Sequence, residues 1–261
     1  MRVCVFASGS GGNCLLISHK STNILVDAGI SIRRIEAALS RSQLSMGDIT
    51  GVLITHEHSD HISALRMIAK KYDVPLCAPH TVAARIVGML PETGEHIRII
   101  PVGEIIRIGE LAVKAFYTSH DTDESVGYRV SGDGIFAIAT DTGCVTEEIW
   151  NGLAGADTVL IESNHDEDML RWGPYPAVLK RRILSEHGHL SNEDCARLAG
   201  RLAESGTGTI VLGHLSKINN TPQKALEATG RALCGTDAEL FCAPELGYLE
   251  LQIGEKTECL P

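Results

Sequence analysis

The chain is organised around one stretch, His56-Glu57-His58-Ser59-Asp60-His61. The apolar run 52–55 before it is typical of a buried strand, and residues 62–72 after it predict a helix. The stretch therefore lies at a strand-to-helix corner, where a rigid scaffold presents side chains from a loop. Three imidazoles and a carboxylate add nothing to a hydrophobic core, whereas neutral imidazole and carboxylate oxygen are common ligands of Zn²⁺ and similar ions.

The spacing within this stretch divides the side chains into two pairs. His56 and His58 are alternate residues, so both can point the same way and hold one metal ion. Asp60 and His61, where the helix starts, can hold a second ion. The alternative is an exposed polar loop with chance histidines, and we disfavour it because three imidazoles repel one another when they are protonated.

The composition bounds the class of protein. The chain has 261 residues, 44% of them hydrophobic, which is enough for one large domain or two fused halves. Its net charge of −10 argues against a protein that coats nucleic acid through overall charge, but allows a local basic groove. The scattered cysteines, the strand-like N-terminus and the lack of a long apolar run predict a cytoplasmic protein with reduced thiols and no membrane association.

Four further polar residues lie where apolar strands end. They are Asp27, His120, Asp141 and His214. These residues could belong to the same site as the central stretch, although each of the two aspartates could instead cap the helix that follows it. The predicted order is strands, then helices, then strands and helices again. This order suits an α/β fold in which two mixed sheets pack face to face with helices outside, an αββα sandwich. The proposed ligands would then share one rim of the sandwich.

The central stretch resembles the HxHxDH signature of the metallo-β-lactamase-fold hydrolases. This resemblance implies two divalent metal ions, held by seven residues. His56, His58 and His120 bind the first ion, Asp60, His61 and His214 bind the second, and Asp141 bridges them. The resemblance also places Asp27 beneath the loop, where a carboxylate can accept the second N–H of a metal-bound histidine.

The predicted ligands favour hydrolytic chemistry. Five histidines and two aspartates suit Zn²⁺ or Mn²⁺, and no thiolate is among them. Two ions about 3.5–4 Å apart can share a water and generate hydroxide near neutral pH. In the resembled fold the glycine-rich turn 8–13 faces the site, which makes Ser10 and Asn13 candidate site residues, although a plain tight hairpin would also explain the glycines.

Stretches outside this signature resemble the YycJ/WalJ (VicX) family. They are 8–14, 161–166, 173–176, 180–182 and 188–192. The resemblance spans essentially the whole chain and implies one metallo-β-lactamase-fold domain over 1–261, without a cap domain. It also implies a bacterial cytoplasmic enzyme with 5′→3′ exonuclease action on DNA. Without a cap, the substrate groove must be shallow or completed by another subunit.

Asp60 and His189 are the predicted catalytic residues. His189 resembles the histidine of the Gly-His-Ser-Thr element in tRNA-processing nucleases, and it could stabilise the pentavalent phosphorus or protonate the leaving oxygen. Bonding a neighbouring carbonyl is the alternative role for His189. His165 could be a contact at the rim of the site or a plain loop residue.

The predicted substrate contacts follow from charge and helix position. Ser191 and Asn192 begin a helix whose free N–H groups can face a phosphate. Lys180, Arg181 and Arg182 could hold backbone phosphates, but three consecutive residues cannot all share one helix face. Arg171 is a further phosphate candidate, and Trp172 and Tyr175 are the nearest candidates for base stacking.

Two rival functions share parts of this pattern. A small-molecule hydrolase, such as a glyoxalase-II-like thioesterase or a cyclic-nucleotide phosphodiesterase, would use the same metal ligands. A regulatory protein with a structural metal site is disfavoured because the ligand set can generate hydroxide. The residues leave open whether the substrate is DNA or RNA, in which direction an exonuclease would degrade it, which metal is native and what the oligomeric state is.

Overall fold

A computed structural model describes residues 1–254, and its strands form where the sequence has short apolar runs. In chain order the strands are β1 (Arg2–Ala7), β2 (Cys14–His19), β3 (Thr22–Val26), β4 (Gly51–Leu53), β5 (Leu76–Ala78), β6 (Ile97–Ile99), β7 (Ile105–Ile108), β8 (Leu111–Tyr117), β9 (Val126–Ser131), β10 (Ile135–Ala139), β11 (Thr158–Glu162), β12 (Thr209–Gly213), β13 (Glu239–Cys242) and β14 (Leu249–Gln252).

The helices lie between these strands. They are α1 (Ile32–Arg41), α2 (Ser59–Ile62), α3 (Leu65–Lys71), α4 (His80–Met89), α5 (Glu147–Leu153), α6 (Glu167–Trp172), α7 (Ala177–Ile183), α8 (Asn192–Glu204) and α9 (Pro222–Ala232). The helix predicted over 62–72 is broken, because Ala64 N donates to Ala28 O at 2.9 Å and ties the chain to the loop after β3. The sequence pattern gave no indication of α6.

The strands form two seven-stranded mixed sheets. The first has the order β14-β1-β2-β3-β4-β5-β6, and the second has the order β13-β12-β11-β10-β9-β8-β7. In the first sheet β3 to β6 pair in parallel, and in the second β10 to β13 do so, whereas the remaining pairs are antiparallel. The predicted αββα sandwich is confirmed.

Alternate side chains along each strand build the core between the sheets. Val3 and Val5 of β1 share one buried cluster with Phe136 and Ile138 of β10 and with Leu160 of β11. Successive side chains of a strand point to opposite faces, so the residues next to these core residues in the sequence face outward toward the helices. The strands read as nearly continuous apolar runs because both of their faces are buried.

Helices cover the outer face of each sheet. Cys4 and Phe6 of β1 belong to a cluster that includes Ile35 of α1 and Leu65 of α3. On the other side, a separate cluster joins alternate residues of β11 to apolar residues of α8. Each sheet is therefore held from both sides, and its strand ends form a rigid rim.

A buried tyrosine joins the second sheet to the strand end that leads into the central stretch 56–61. Tyr128 on β9 has no exposed surface, and its hydroxyl donates to Ile54 O at 2.6 Å. Ile54 directly follows β4 and lies two residues before His56. The contact joins the two sheets where the site begins, and it satisfies a hydroxyl that would be costly to bury alone.

Left-handed backbone marks three of the strand ends. Asp27, Asp141 and His214 have φ angles of 59°, 55° and 54°. Side chains other than glycine adopt this region at a cost, and such residues cluster at functional sites. The chain turns sharply as it leaves β3, β10 and β12, and this turn brings the three side chains to the rim.

None of the helices in residues 1–254 has the length and apolar character that a bilayer crossing needs.

Gly29 provides the first test of this architecture. A Cβ built on Gly29 would lie 1.6 Å from Asp60 O and 2.7 Å from Asn13 N, because Gly29 packs between the central stretch and the glycine-rich turn. We expect Gly29→Ala to lower the free energy of unfolding by about 2 kcal/mol or more, since overpacking forces the backbone to move. Urea unfolding followed by circular dichroism measures the change.

The matched control is Gly88→Ala in α4, where an added Cβ meets nothing within 4 Å. It should leave stability unchanged or raise it by up to about 1 kcal/mol, since alanine favours helices. Equal unfolding midpoints for the two variants would contradict the prediction.

Candidate active site

The predicted ligands converge at one rim of the sandwich in two groups. Within each group the ligand atoms lie no more than 4.8 Å apart. The first group is His56, His58 and His120, and the second is Asp60, His61 and His214. The site therefore draws on both sheets, because β4 leads into the central stretch whereas β8 and β12 lead to His120 and His214.

Asp141 lies between the two groups. Its Oδ1 is 3.4 Å from His214 Nε2 and 3.7 Å from His120 Nε2, and its Oδ2 is 3.3 Å from His61 Nε2. The alternative role as a helix cap is wrong, since Thr146 caps α5 by accepting from Ile149 N. Asp141 has the position that a bridging carboxylate requires, and ligation itself stays a prediction.

Buried atoms without partners support metal binding by this arrangement. His56 Nε2, His214 Nε2 and Asp141 Oδ2 are buried, and none has a hydrogen-bond partner within the described residues. An unsatisfied buried polar atom costs about 1–3 kcal/mol, so such groups call for an explanation. Imidazole nitrogen and carboxylate oxygen fit Zn²⁺ or Mn²⁺. The cluster is able to hold divalent ions.

Asp27 lies beneath the central stretch 56–61, and its role in orienting a metal ligand stays a prediction. Its Oδ2 accepts from His61 Nδ1 at 2.8 Å, and its Oδ1 accepts from Thr55 N at 2.9 Å. It does not cap α1, whose N-cap residue is Ser31. Burial opposes the charge, but Asp27 and Asp141 raise the pKa of His61 to about 10, so the imidazole is protonated near pH 7 when no metal ion is bound. With Nδ1 bonded to Asp27, loss of the Nε2 proton would leave the Nε2 lone pair facing the site.

Glu162 is a site residue that the sequence analysis missed. It ends β11 fully buried, and its Oε1 accepts from His214 Nδ1 at 2.8 Å and from His189 Nδ1 at 2.7 Å. Its Oε2 accepts from Thr142 N at 2.9 Å. Burial opposes ionisation, but His189 and His214 lower the pKa of Glu162 to about 2. The available signal was a lone carboxylate closing an apolar strand.

His189 lies beside both ligand groups. Its ring centroid is 5.1 Å from that of His120 and 5.4 Å from that of His214. Its side chain bonds the Glu162 carboxylate, and not a neighbouring carbonyl as in the alternative interpretation. Burial lowers the pKa of His189, but the carboxylate of Glu162 outweighs this and raises it. His189 is therefore placed to carry a proton next to the ligand groups.

A cleft of about 160 Å³ opens beside the two groups. Its lining includes Ser10, His120, Asp121, Tyr175, Arg182 and His189. Asp121, to which the sequence analysis gave no role, has its Oδ1 3.2 Å from His120 Nε2 and 3.8 Å from His58 Nε2. Its other oxygen accepts from Arg182 Nε. One carboxylate thus contacts the first ligand group and the basic side chain at the cleft.

The other predicted phosphate contacts are placed differently. Lys180 is not among the cleft-lining residues; its Nζ donates to Arg171 O at 2.7 Å and to Gly173 O at 2.8 Å, which closes the end of α6. Arg181 is exposed on α7 and does not line the cleft. The three consecutive cations therefore diverge, as helix geometry requires.

Ser191 and Asn192 are buried, contrary to the expectation that they contact substrate. Ser191 Oγ accepts from Asp194 N at 3.1 Å as the N-cap of α8. The Asn192 side chain exchanges hydrogen bonds with Asn220 and accepts from Ser163 Oγ. Their hydrogen-bonding capacity is used inside the protein, which the helix-start pattern alone did not reveal.

Asn13 contacts a predicted ligand, whereas His165 is a residue of the loop between β11 and α6. Asn13 Nδ2 is 3.0 Å from His61 Nε2, and Asn13 Oδ1 accepts from Gly9 N at 2.9 Å. His165 is buried, and neither of its ring nitrogens has a partner within the described residues. Burial lowers the pKa of His165 to about 4. His165 is therefore neutral near pH 7.

Comparison with known proteins gives the class. Residues 22–215 match the family model described as a beta-lactamase superfamily domain, so the chain belongs to this superfamily. The Zn²⁺-bound PqqB structure from Methylobacterium extorquens shares the fold, with a TM-score of 0.74 and 18% identity over 97% of this chain and 100% of that one. Fold, histidine–aspartate cluster and relatives together identify a metal-dependent hydrolase.

Two curated relatives define the family within this superfamily. The chain is 38% identical to Exodeoxyribonuclease YycJ of Bacillus anthracis over 233 residues, which cover 88% of each chain. It is also 38% identical to Exodeoxyribonuclease WalJ of Streptococcus pneumoniae over 227 residues, which cover 85% of this chain and 84% of that one. The chain therefore belongs to the YycJ/WalJ family.

Glu162→Gln tests the carboxylate that holds two histidines. A glutamine cannot accept from both imidazoles and from Thr142 N without turning its own N–H₂ toward a donor. We expect affinity for Mn²⁺ to fall about 10–100-fold, the usual effect of losing a partner that orients a ligand. Calorimetric titration measures the affinity.

Glu227→Gln on α9 is the matched control, since Glu227 is exposed and its carboxylate accepts a hydrogen bond from Gln223 Nε2. It should bind Mn²⁺ as the wild type does. Unchanged affinity in a folded Glu162→Gln protein would show that Glu162 does not support the site.

Proposed function

We propose that this chain is a metal-dependent DNA exonuclease that removes nucleotides from 5′ ends. The proposal is supported by 38% identity, over most of the chain, to two curated exodeoxyribonucleases. The geometry agrees with it, because two ligand groups flank one carboxylate and a cleft with a basic side chain opens beside them. Phosphodiester hydrolysis needs both charge neutralisation and a positioned proton donor.

The two ions would be held as the sequence resemblance implies. His56, His58 and His120 would hold the first, Asp60, His61 and His214 the second, and Asp141 both. When bound, the pair supplies an activated water and neutralises charge on the attacked phosphoryl group. Zn²⁺ and Mn²⁺ both suit these donors.

Asp60 and His189 are the proposed catalytic residues. Asp60 Oδ2 lies 3.5 Å from His61 Nε2 and 3.6 Å from His214 Nε2, and its side chain remains partly exposed. Its other oxygen can accept a hydrogen bond from the attacking water. His189, with Nδ1 engaged by Glu162, donates from Nε2 to the leaving oxygen as the phosphorus–oxygen bond breaks.

Arg182 is the proposed phosphate contact of the cleft. Asp121 holds its guanidinium beside the first ligand group, so that a phosphodiester entering the cleft meets a cation that is already in place. A preorganised charge costs less to use than one that must be ordered on binding.

We further propose that residues 1–261 act as one metallo-β-lactamase-fold domain with a shallow groove and no cap. The residues that line the cleft leave the Arg182 side chain half exposed. The enzyme acts in the cytoplasm, where its DNA substrate lies and where the seven described cysteines, all unpaired, stay reduced.

The proposal predicts metal-dependent release of nucleotides from one end. The substrates are a duplex labelled at its 5′ end and its twin labelled at the 3′ end, each with Mn²⁺ or EDTA. The wild type should release labelled mononucleotide from the 5′ label first, and EDTA should abolish release. Asp141→Ala should lower the rate at least about 100-fold, because it removes the carboxylate between the ligand groups.

Asp73→Ala, a change at a fully exposed aspartate between α3 and β5, is the control and should retain the wild-type rate. Release of the 3′ label first would reverse the proposed polarity. Intact duplexes together with turnover of a thioester or a cyclic phosphodiester would replace the exonuclease by the small-molecule hydrolase.

A further inference from the structure

Three buried asparagines meet beside the strand ends that lead to Glu162 and His214. Asn164 follows β11, Asn192 begins α8, and Asn220 lies two residues before α9. A buried side-chain amide is costly unless it is hydrogen-bonded, so the partners of these residues indicate their role. We name Asn164, Asn192 and Asn220 the asparagine cluster.

Asn192 and Asn220 bond each other through both ends of their amides. Asn192 Nδ2 donates to Asn220 Oδ1 at 2.9 Å, and Asn220 Nδ2 donates to Asn192 Oδ1 at 2.8 Å. Asn220 Nδ2 also contacts the carbonyl oxygens of Ser163 and Asn164, at 2.8 and 3.1 Å. The starts of α8 and α9 are therefore joined to the chain directly after Glu162.

Asn164 extends this connection to a predicted metal ligand. Its Nδ2 donates to His214 O at 3.0 Å, and its own carbonyl accepts from Ser216 N at 2.8 Å. From the first sheet, Ser8 Oγ accepts from His214 N at 2.8 Å. The N–H and the carbonyl of His214 are thus both bonded to side chains.

The backbone of His214 needs such support. Its φ angle of 54° lies in the left-handed region, which costs free energy for a residue other than glycine and persists only where the surroundings fix it. The bonds from Asn164 and Ser8 set the direction in which the imidazole leaves the backbone. Glu162 Oε1 then orients the ring by accepting from His214 Nδ1 at 2.8 Å.

The segment that carries His189 is bonded to the same cluster. Asn164 N donates to Leu190 O at 3.0 Å, and Leu190 directly follows His189. His189 Nδ1 donates to the same Glu162 oxygen that accepts from His214. The asparagine cluster therefore joins the chain segments that carry Glu162 and both of its histidines.

We propose that the asparagine cluster consists of positioning residues for the second ligand group. Asn164 fixes the backbone of His214, and Asn220 fixes the strand exit that carries Glu162. The cluster acts through this histidine and this carboxylate, and so it sets the affinity of the group for its ion. The role deepens the proposed function and rests on it for the presence of the ion.

Two other roles for the cluster predict different results. A cluster that only stabilises the fold would lower the unfolding midpoint when it is mutated, without changing ion affinity in the folded protein. Asn164 also lines the cleft, so it could contact substrate directly. Its loss would then raise KM and leave ion affinity unchanged.

Calorimetric titration of Mn²⁺ into the metal-free full chain tests the positioning role. The wild type should take up two ions. Asn164→Ala should weaken the binding of one ion about tenfold and leave the other unchanged, since loss of a partner that orients a ligand typically costs 10–100-fold in affinity. Asn220→Ala should act in the same direction. If Asn220→Ala does not fold, Asn164→Ala decides the result.

NMR of the metal-free chain gives a readout that involves neither the ion nor catalysis. An imidazole N–H held by a carboxylate gives a downfield proton signal that exchanges slowly with water. The wild type should show this signal for His214, assigned by its absence in His214→Gln. Asn164→Ala should broaden it, because the imidazole no longer holds one orientation against Glu162.

Asn23→Ala is the matched control. Asn23 is also buried, and its Nδ2 donates to a backbone carbonyl, Asp48 O, at 3.1 Å. It lies near the start of β3, whereas the site lies beyond the end of that strand. Asn23→Ala should lower the midpoint of urea unfolding as Asn164→Ala does, but bind both ions and keep the His214 signal as the wild type does.

Two results would overturn the positioning role. They are unchanged ion affinities in a folded Asn164→Ala protein, whether or not KM rises, and an equal loss of ion affinity in Asn23→Ala. Failure of the proposed function is a separate result. A wild type that binds two ions but releases no nucleotides from DNA would remove the exonuclease and leave the positioning role in place.

Discussion

The ionised carboxylate of Asp141 is the constraint on which the site depends. It is buried, and burying an unpaired charge would cost several kcal/mol. Burial opposes ionisation, but His214, His61, His56 and His120 surround the group and hold the pKa of Asp141 well below its usual range. The left-handed turn that places it there is tolerated because the strands on either side are fixed from both faces.

Each sheet supplies its own buried carboxylate to orient the histidines. Asp27, after β3 of the first sheet, bonds His61, and Glu162, at the end of β11 of the second, bonds His214 and His189. The orientation of the His61 and His214 imidazoles is thus set by groups on opposite sheets. The geometry of the site depends on how the sheets pack, which explains the value of the Tyr128 contact to Ile54 at their junction.

The fold and the converging residues could be predicted because they leave periodic signals. Apolar runs locate strands, and polar residues at strand ends fall on one rim whichever loops connect them. Glu162 and Asp121 escaped prediction because their roles depend on partners 27 to 63 residues away along the chain. Ser191 and Asn192 were misplaced because a helix-start pattern identifies a cap without showing which way it faces.

The ligand set cannot by itself decide the substrate, since hydrolases of different specificity share it. Specificity must therefore come from the cleft, where Asp121 contacts both the first ligand group and Arg182. Arg182 is half exposed there, so its guanidinium is available to a group that enters the cleft. A phosphodiester carries a negative charge that the guanidinium can contact, whereas a thioester group is neutral.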